Sequence, residues 1–298
     1  MPASELLLSL FIANCAAGEV AGSTVDKWLA GLHRGHQIAD APWFGGHLLS
    51  QTKKGAVRLA PASSRQKRRC PVTLNHLDAL RRHLDLSNSF DAAVYAVACI
   101  AFWACCRLGE LLIVSRNSFN LQENISRGCS KTHGVTKFGC RFSMLHLPNT
   151  KTKGIEGEDI YLIDCPLLSN PVIAFEHHLA SSPTIPDDAP LFAWQAADGG
   201  WAPLTKPWFM QRCRAVWEKE GLELLDGHSF RIGGTTHHLM SGIDPWVVMI
   251  IGRWSSNAFL VYWRKVEEIL PNFISEAYDS VESLTSRMSR FVQNMSLR

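Results

Sequence analysis

No apolar run in this sequence is long enough to cross a bilayer. The longest, Ala92 to Cys106, spans fifteen residues, short of the roughly twenty that a membrane helix needs, and it reads as a buried core helix. There is no C-x-x-C pair among the nine cysteines, and nine is an odd number. With no signal-peptide pattern at the start either, the expectation is a reducing, intracellular protein without a disulfide framework. Several cysteines lie inside apolar runs, where the thiol acts as a small hydrophobe. Low-complexity segments and internal repeats are lacking too. Charge is sparse, at 19% against 46% hydrophobic residues; that balance excludes a disordered chain and supplies ample material for a core. A length of 298 residues allows two domains, or one large domain with a small companion. The net charge of +3 and pI near 8.4 are too mild to indicate nucleic acid, because solvated surface lysines explain them equally well.

The distribution of charge says more than its sum. Lys53, Lys54, Arg58, Arg65, Lys67, Arg68 and Arg69 fall within seventeen residues that contain no acid. Pro61, Ala62, Ser63 and Ser64 interrupt them, so residues 53–70 read as an extended basic linker. Such a stretch is equally a solvated linker or import signal and an arm that tracks phosphates along a duplex. Ahead of it, residues 1–52 read as a small helical domain. One helix runs over Ser4 to Ala17, and a second opens at Gly22-Ser23-Thr24, with Ser23 or Thr24 as cap and Val25, Trp28, Leu29 and Leu32 as its apolar stripe. Behind it, residues 71–298 read as one larger domain, mostly α with a small antiparallel hairpin. Thr73 caps a helix bearing His76, Leu77, Leu80 and Leu84, and another runs from about Ser89 into Arg107. Alternating apolar residues between Arg141 and Ile163 predict two strands flanking the polar turn Asn149 to Gly157. Ser181 to Gly200, rich in proline and glycine, reads as a surface loop.

Four places could carry chemistry. Arg107 ends the long apolar run, where an unpaired guanidinium would be costly; it must meet Glu110, a backbone acceptor or an anionic ligand. Lys151 and Lys153 sit in the turn between the strands, a position usually occupied by plain solvated lysines. In Gly227-His228-Ser229-Phe230-Arg231, the histidine and arginine lie three apart and share one helix face, although a histidine there can also simply cap a helix start. Gly252-Arg253-Trp254-Ser255-Ser256-Asn257 precedes Tyr262, which stands among apolar helical residues where tyrosine is more often core than nucleophile. The neighbours His237 and His238 point to different helix faces and make a poor metal pair.

The order of these pieces is more specific than any one of them. Through G-H-S-F-R-I-G-G-T-T and G-R-W-S-S-x-A-F-L-x-Y-W, the chain resembles the tyrosine recombinase and integrase family over roughly Pro71 to Lys265, most closely the integrase-like recombinases of fungal mobile elements. The resemblance implies the catalytic-domain fold of that family, preceded by a helical segment that resembles a truncated core-binding domain. By motif, Arg107 and Arg231 match the family's arginine pair and His228 the histidine of H-x-x-R. Lys151, with Lys153 its rival, matches the hairpin lysine; Trp254 stands where Cre-like members have tryptophan, and Tyr262 matches the nucleophile. The interval from Trp254 to Tyr262 is one residue shorter than in the Cre-like pattern. Tyr278 is the downstream competitor, outside the motif.

This set suits attack on an anionic phosphodiester. Two guanidiniums are fixed cations with forked donors, taking the place of a metal at the nonbridging oxygens. Trp254 adds one indole N–H, and Tyr262, with an ordinary pKa near 10, attacks phosphorus to give a 3′-phosphotyrosyl bond. His228 is the acid/base partner and Lys151 the donor to the departing 5′-oxygen. The resemblance implies no metal and no cofactor, double-stranded DNA as partner, a homo-oligomer on DNA, no membrane and a nuclear location. It also implies that the basic residues 53–69 grip DNA, and that the helix after Pro271, with Phe273, Ile274, Tyr278, Val281 and Leu284, docks on a neighbouring subunit or on its own domain. Two other readings share much of this: a non-catalytic DNA-binding protein descended from a mobile element, and a type IB topoisomerase.

Overall fold

A computed structural model describes residues 2–64, 69–151 and 153–255, together with Glu267, Pro271, Ile274 and Ser275. The chain divides into two compact units, Met1–Arg68 and Arg69–Arg298.

In the first unit, Ser4 caps helix α1 (Glu5–Cys15) by accepting from the Leu7 N–H at 3.2 Å. Helix α2 spans Gly22–Ile38 and α3 spans His47–Arg58. The cap of α2 is Ala21, two residues ahead of Ser23 and three ahead of Thr24, the caps expected, and it makes no side-chain cap bond. Leu8, Ile12, Val25, Leu49 and Ala56 form the core. The Glu5 carboxylate accepts from the Leu49 N–H at 3.1 Å, placing a negative charge at the positive end of α3. Lys53, Lys54 and Arg58 therefore belong to a helix rather than an extended linker, which corrects the sequence reading. Their charge run disguised the amphipathic face on which Leu49 and Ala56 are buried. Lys53 pairs with Asp26 at 2.5 Å, while Lys54 and Arg58 are exposed. Arg65, Lys67 and Arg68 lie outside the described residues.

The second unit is built around α5 (Ser89–Trp103), apolar on every side and buried from Asp91 to Phe102. A helix with no polar face has to be wrapped. It packs against α4 (Leu74–His83), α7 (Pro171–Ala180), α8 (Lys206–Lys219) and α9 (His228–Met240). Capping sets several of these starts. Asn88 caps α5 and Thr73 precedes α4, its N–H donating to the His76 Nδ1. Asn170, Thr205 and Asp244 cap α7, α8 and α10 (Pro245–Ile251), each followed by proline in the first turn, where its missing N–H is not needed. The one carboxylate on α5, Asp91, is held by a bidentate bond from Arg212 of α8, both contacts at 2.7 Å.

The expected hairpin is two strands of a three-stranded antiparallel meander. Strand β1 (Lys131–Val135) pairs with β2 (Arg141–Leu147), and β2 with β3 (Glu158–Ile163). Leu145, Leu147, Ile160 and Leu162 form its buried face. The stretch Ser181 to Gly200 is not simply a surface loop: Ile185, Leu191 and Phe192 are buried, and β4 (Ala193–Gln195) pairs with β5 (Trp201–Pro203). Among the described residues, no helix is long and apolar enough to cross a membrane.

Candidate active site

Two helix ends make the floor of the site. Helix α5 stops at Trp103, four residues short of the expected arginine, with Ala104 as its cap. The Cys105 N–H then bonds to Phe102 O at 3.1 Å and the Cys106 N–H to Ala101 O at 3.0 Å, a Schellman closure in which Cys105 takes the left-handed position at φ +47°. Helix α10 ends the same way. Gly252 is its cap, Arg253 is left-handed at φ +56°, and the N–H groups of Arg253 and Trp254 reach Ile250 O at 3.0 Å and Met249 O at 3.1 Å. Gly252 has to be glycine because the Trp254 ring folds back over it, 1.5 Å from where a Cβ would stand.

Arg231 joins the two ends. Its Nη1 donates to Cys105 O at 2.8 Å and its Nη2 to Gly252 O at 2.6 Å, and its guanidinium lies 4.1 Å from the centroid of the Trp254 ring. The side chain is 0% exposed. Burial pushes its pKa down to about 10, with the nearby Arg107 charge adding to the effect; it remains a cation at neutral pH. Arg107 is the N-cap of a single turn, α6 (Leu108–Leu111), rather than the end of the long helix. The expected pair is present: Arg107 Nη1 reaches Glu110 Oε1 at 2.7 Å, and the Arg107 N–H reaches Oε2 at 2.9 Å. Arg107 is 28% exposed and Glu110 5%, so Arg107 is the guanidinium that meets solvent.

His228 is the first residue of α9, capped by Gly227. It is half-buried and ringed by cations. Burial, then Arg69, Arg231, Arg107 and Lys206, bring its pKa down to about 4. At neutral pH it is therefore a neutral proton acceptor, not the half-protonated group that its ordinary value suggests. A cavity of about 390 Å³ opens beside it, lined by Arg69, Lys206, Arg214 and Asp226 among others. Arg214 is paired with Asp226 at 2.7 Å. Arg107, Arg231, His228 and Trp254 thus converge, and Arg69 of the basic stretch joins them. Sequence reasoning missed Lys206 and Arg253. A lysine just ahead of the proline at a helix start gave Lys206 no motif to belong to, and Arg253 hid between two better-known motif residues.

Lys151 and Lys153 sit in the turn between β2 and β3. Their turn is closed by paired backbone bonds between Thr150 and Gly154 at 3.1 and 2.8 Å, with the Thr150 hydroxyl donating to Glu158 at 2.7 Å. Gly154 and Gly157 supply the left-handed backbone. Both lysines are exposed, and neither makes an ion pair among the described residues. Tyr262 and Tyr278 fall outside the described residues, as does nearly all of the helix expected after Pro271. His237 and His238 serve packing: His237 lies edge-on to Trp103, and His238 Nε2 is 2.9 Å from Trp103 O.

The lowered histidine fixes the sign of a pH effect. His228 in the folded state binds a proton only near pH 4, whereas in the unfolded chain it does so near 6.5. Between those values the unfolded state holds more protons, so stability falls as pH drops from about 6.5 to 4. The buried His178, also pushed down to about 4 by burial, acts in the same direction. The urea midpoint is expected to be lower at pH 5 than at pH 7, with His228→Gln showing a smaller difference; identical midpoints in the wild type would refute the assignment.

A scan against protein-family models gives no match, and neither does a sequence search of curated proteins. Solved structures do match. A XerH site-specific recombinase, in a post-cleavage complex with a palindromic difH substrate, aligns with a TM-score of 0.56 at 14% identity, over 92% of this chain and 72% of its own. The Tn1549 transposon integrase bound to circular-intermediate DNA aligns at 0.46 and 15% identity, covering 93% and 83%, and XerA recombinase at 0.45 and 16%, covering 77% and 72%. The XerH alignment carries the assignment: this chain, mostly helical with small antiparallel sheets, has the tyrosine recombinase catalytic-domain fold.

Proposed function

We propose that the protein is a site-specific DNA recombinase or integrase that cuts and rejoins strands through a covalent bond between Tyr262 and a 3′-phosphate. The observation that supports this most directly is the meeting of Arg107, Arg231, His228 and Trp254 at two facing helix ends, with further positive charge from Arg69 and Lys206. A phosphodiester under attack gains charge on its nonbridging oxygens, and donors fixed in advance in a water-poor setting stabilise that charge most. Arg107, facing solvent, meets the phosphate first; Arg231 acts from behind it, beneath Trp254. His228 is the partner for the phenolic proton of Tyr262, its basicity raised once the anionic phosphate enters among the cations that now hold it down. The phenoxide then forms the P–O bond as the 5′-oxygen leaves, and Lys151, or its neighbour Lys153, returns a proton to that oxygen. The broken strand's bond energy is kept in the phosphotyrosine, so the reaction needs neither metal nor nucleotide.

Duplex DNA is the partner in this reading. Lys54, Arg58 and Arg69 contact its backbone along with Lys53, Arg65, Lys67 and Arg68; such contacts position the enzyme without reading sequence. Action as a homo-oligomer in the nucleus, and descent from a fungal mobile element, complete the proposal.

The test is trapping. The protein is incubated with a pool of nicked duplexes of randomised sequence, and DNA that stays bound after denaturation is recovered. Wild type is expected to give adducts and Tyr262→Phe none. Adducts formed by Tyr262→Phe, or duplex binding without adducts from the wild type, would remove the catalytic claim, the second result leaving a DNA-binding protein.

A further inference from the structure

Arg253 has no role in the reaction as described above. Its geometry is nevertheless unusual. Among the described residues only Asp40, Cys105 and Arg253 are non-glycine residues with positive φ, and the last two flank Arg231. A side chain in that conformation crowds its Cβ against the following carbonyl oxygen, so something must hold arginine there. Its side chain turns inward and is 5% exposed. Nη1 donates to Ala104 O at 3.2 Å and Ile251 O at 3.1 Å, and Nη2 to Glu110 Oε2 at 2.6 Å. One buried carboxylate is thereby shared by two guanidiniums, with Arg107 on Oε1 and Arg253 on Oε2.

We propose that Arg253 is a positioning residue of this site, which takes up the charge of Glu110 so that Arg107 stays available to an anion. With Arg253, the three arginines and Glu110 together carry a net charge of +2; without it, Arg107 and Arg231 against Glu110 leave +1. Arg253 touches no reacting atom. It acts through Glu110, which anchors both the side chain and the backbone N–H of Arg107, and through Ala104 O and Ile251 O, which hold the two helix ends together. Groups that orient a working residue in this way typically change activity by about 10–100-fold when removed. The catalytic meaning of the inference rests on the recombinase reading above, but the sharing of Glu110 does not.

Two measurements test it on the full chain. Arg253→Gly suits the left-handed backbone and deletes only the side chain, while Arg253→Lys keeps the charge without the fork. In the trapping assay, Arg253→Gly is expected to slow adduct formation about 10–100-fold while the Kd for duplex DNA changes by less than about 3-fold, and Arg253→Lys recovers part of the rate. An adduct rate for Arg253→Gly equal to wild type would overturn the proposal. The second measurement is independent of activity. Among the described residues, the groups facing Glu110 are Arg107 of its own turn, Arg253 after α10, Arg231 of α9 and the Cys106 thiol. Burial pushes the Glu110 carboxyl up, and Arg253 first, then Arg107, more than offset it. Without Arg253, the Glu110 carboxyl takes up its proton at higher pH in the folded state, so acidification is expected to cost the fold less stability than in the wild type, and Glu110→Gln is expected to remove that difference. If wild type forms no adduct, the recombinase reading fails by itself; an unchanged acid limb in Arg253→Gly then overturns the sharing of Glu110. Should Arg253→Gly not fold, the Arg253→Met, Glu110→Gln pair is compared with Arg253→Met alone in the trapping assay: with the Glu110 charge gone Arg107 no longer needs Arg253, so the pair is expected to be the faster of the two, and a pair no faster than Arg253→Met overturns the proposal.

Discussion

Arg231→Lys is expected to abolish most adduct formation and to weaken the fold at the same time. The guanidinium spans two backbone carbonyls that belong to different helix ends, Cys105 O and Gly252 O, and lies over the Trp254 ring, 4.1 Å from its centroid. An ammonium keeps the charge but is a compact point donor on a flexible stem, so it cannot bridge both carbonyls and stack as well. Each carbonyl left unsatisfied in a buried place costs roughly 1–3 kcal/mol. Loss of one preorganised donor at a developing oxyanion typically lowers the rate about 10²–10³-fold. The two costs are separable by measuring the adduct rate and the urea midpoint on the same preparation. A variant within about 3-fold of wild type in rate, with an unshifted midpoint, would show that the fork is not needed.

Gly234→Ala carries the largest expected effect on stability. The Gly-Gly pair of α9 lies where that helix presses on its neighbours. A Cβ at Gly234 would sit 1.9 Å from Phe102 O, and one at Gly233 would sit 2.1 Å from Val72 O. Both obstacles are backbone, so neither can swing aside as a side chain tip would. Overpacking a well-filled core commonly costs roughly 1–3 kcal/mol, and this site belongs at or beyond the upper end. For a unit of this size each kcal/mol is worth about 2–4 °C, so a fall of about 6–12 °C in Tm is expected from thermal unfolding followed by circular dichroism. The displacement also pulls Arg231 off Cys105 O, so activity should fall with stability. A Tm within about 2 °C of wild type would mean that α9 and α5 do not approach as closely as described.

Much of the site was legible because it obeys local periodicity. His228 and Arg231 at i and i+3 share a face of α9 whatever surrounds them, and Glu110 three residues after Arg107 closes a pair within one turn. Strands β2 and β3 were legible from strict alternation, since one face is buried and the other is not. What stayed hidden was short or masked by charge. Strand β1 is five residues, Lys-Thr-His-Gly-Val, with no buried position, and β4 and β5 are three residues each; none is long enough to show a period. The second half of α3 was hidden by its own lysines, which sit beside the two positions that bury it.

The chain's own order of residues determined which groups could act: an apolar helix that must be wrapped, two arginines, a histidine in register with one of them, and a basic run. These follow from side-chain chemistry and from spacings of a few residues, which the backbone geometry of helix and strand fixes locally. Only the tertiary structure decided that α5 and α10 end face to face, that Arg231 ties those ends from beneath and Arg107 looks outward, and that Arg253 reaches Glu110 across 143 positions. Such pairings depend on two left-handed turns brought together by packing, and no local pattern encodes a distance between residues that meet only after the core has formed.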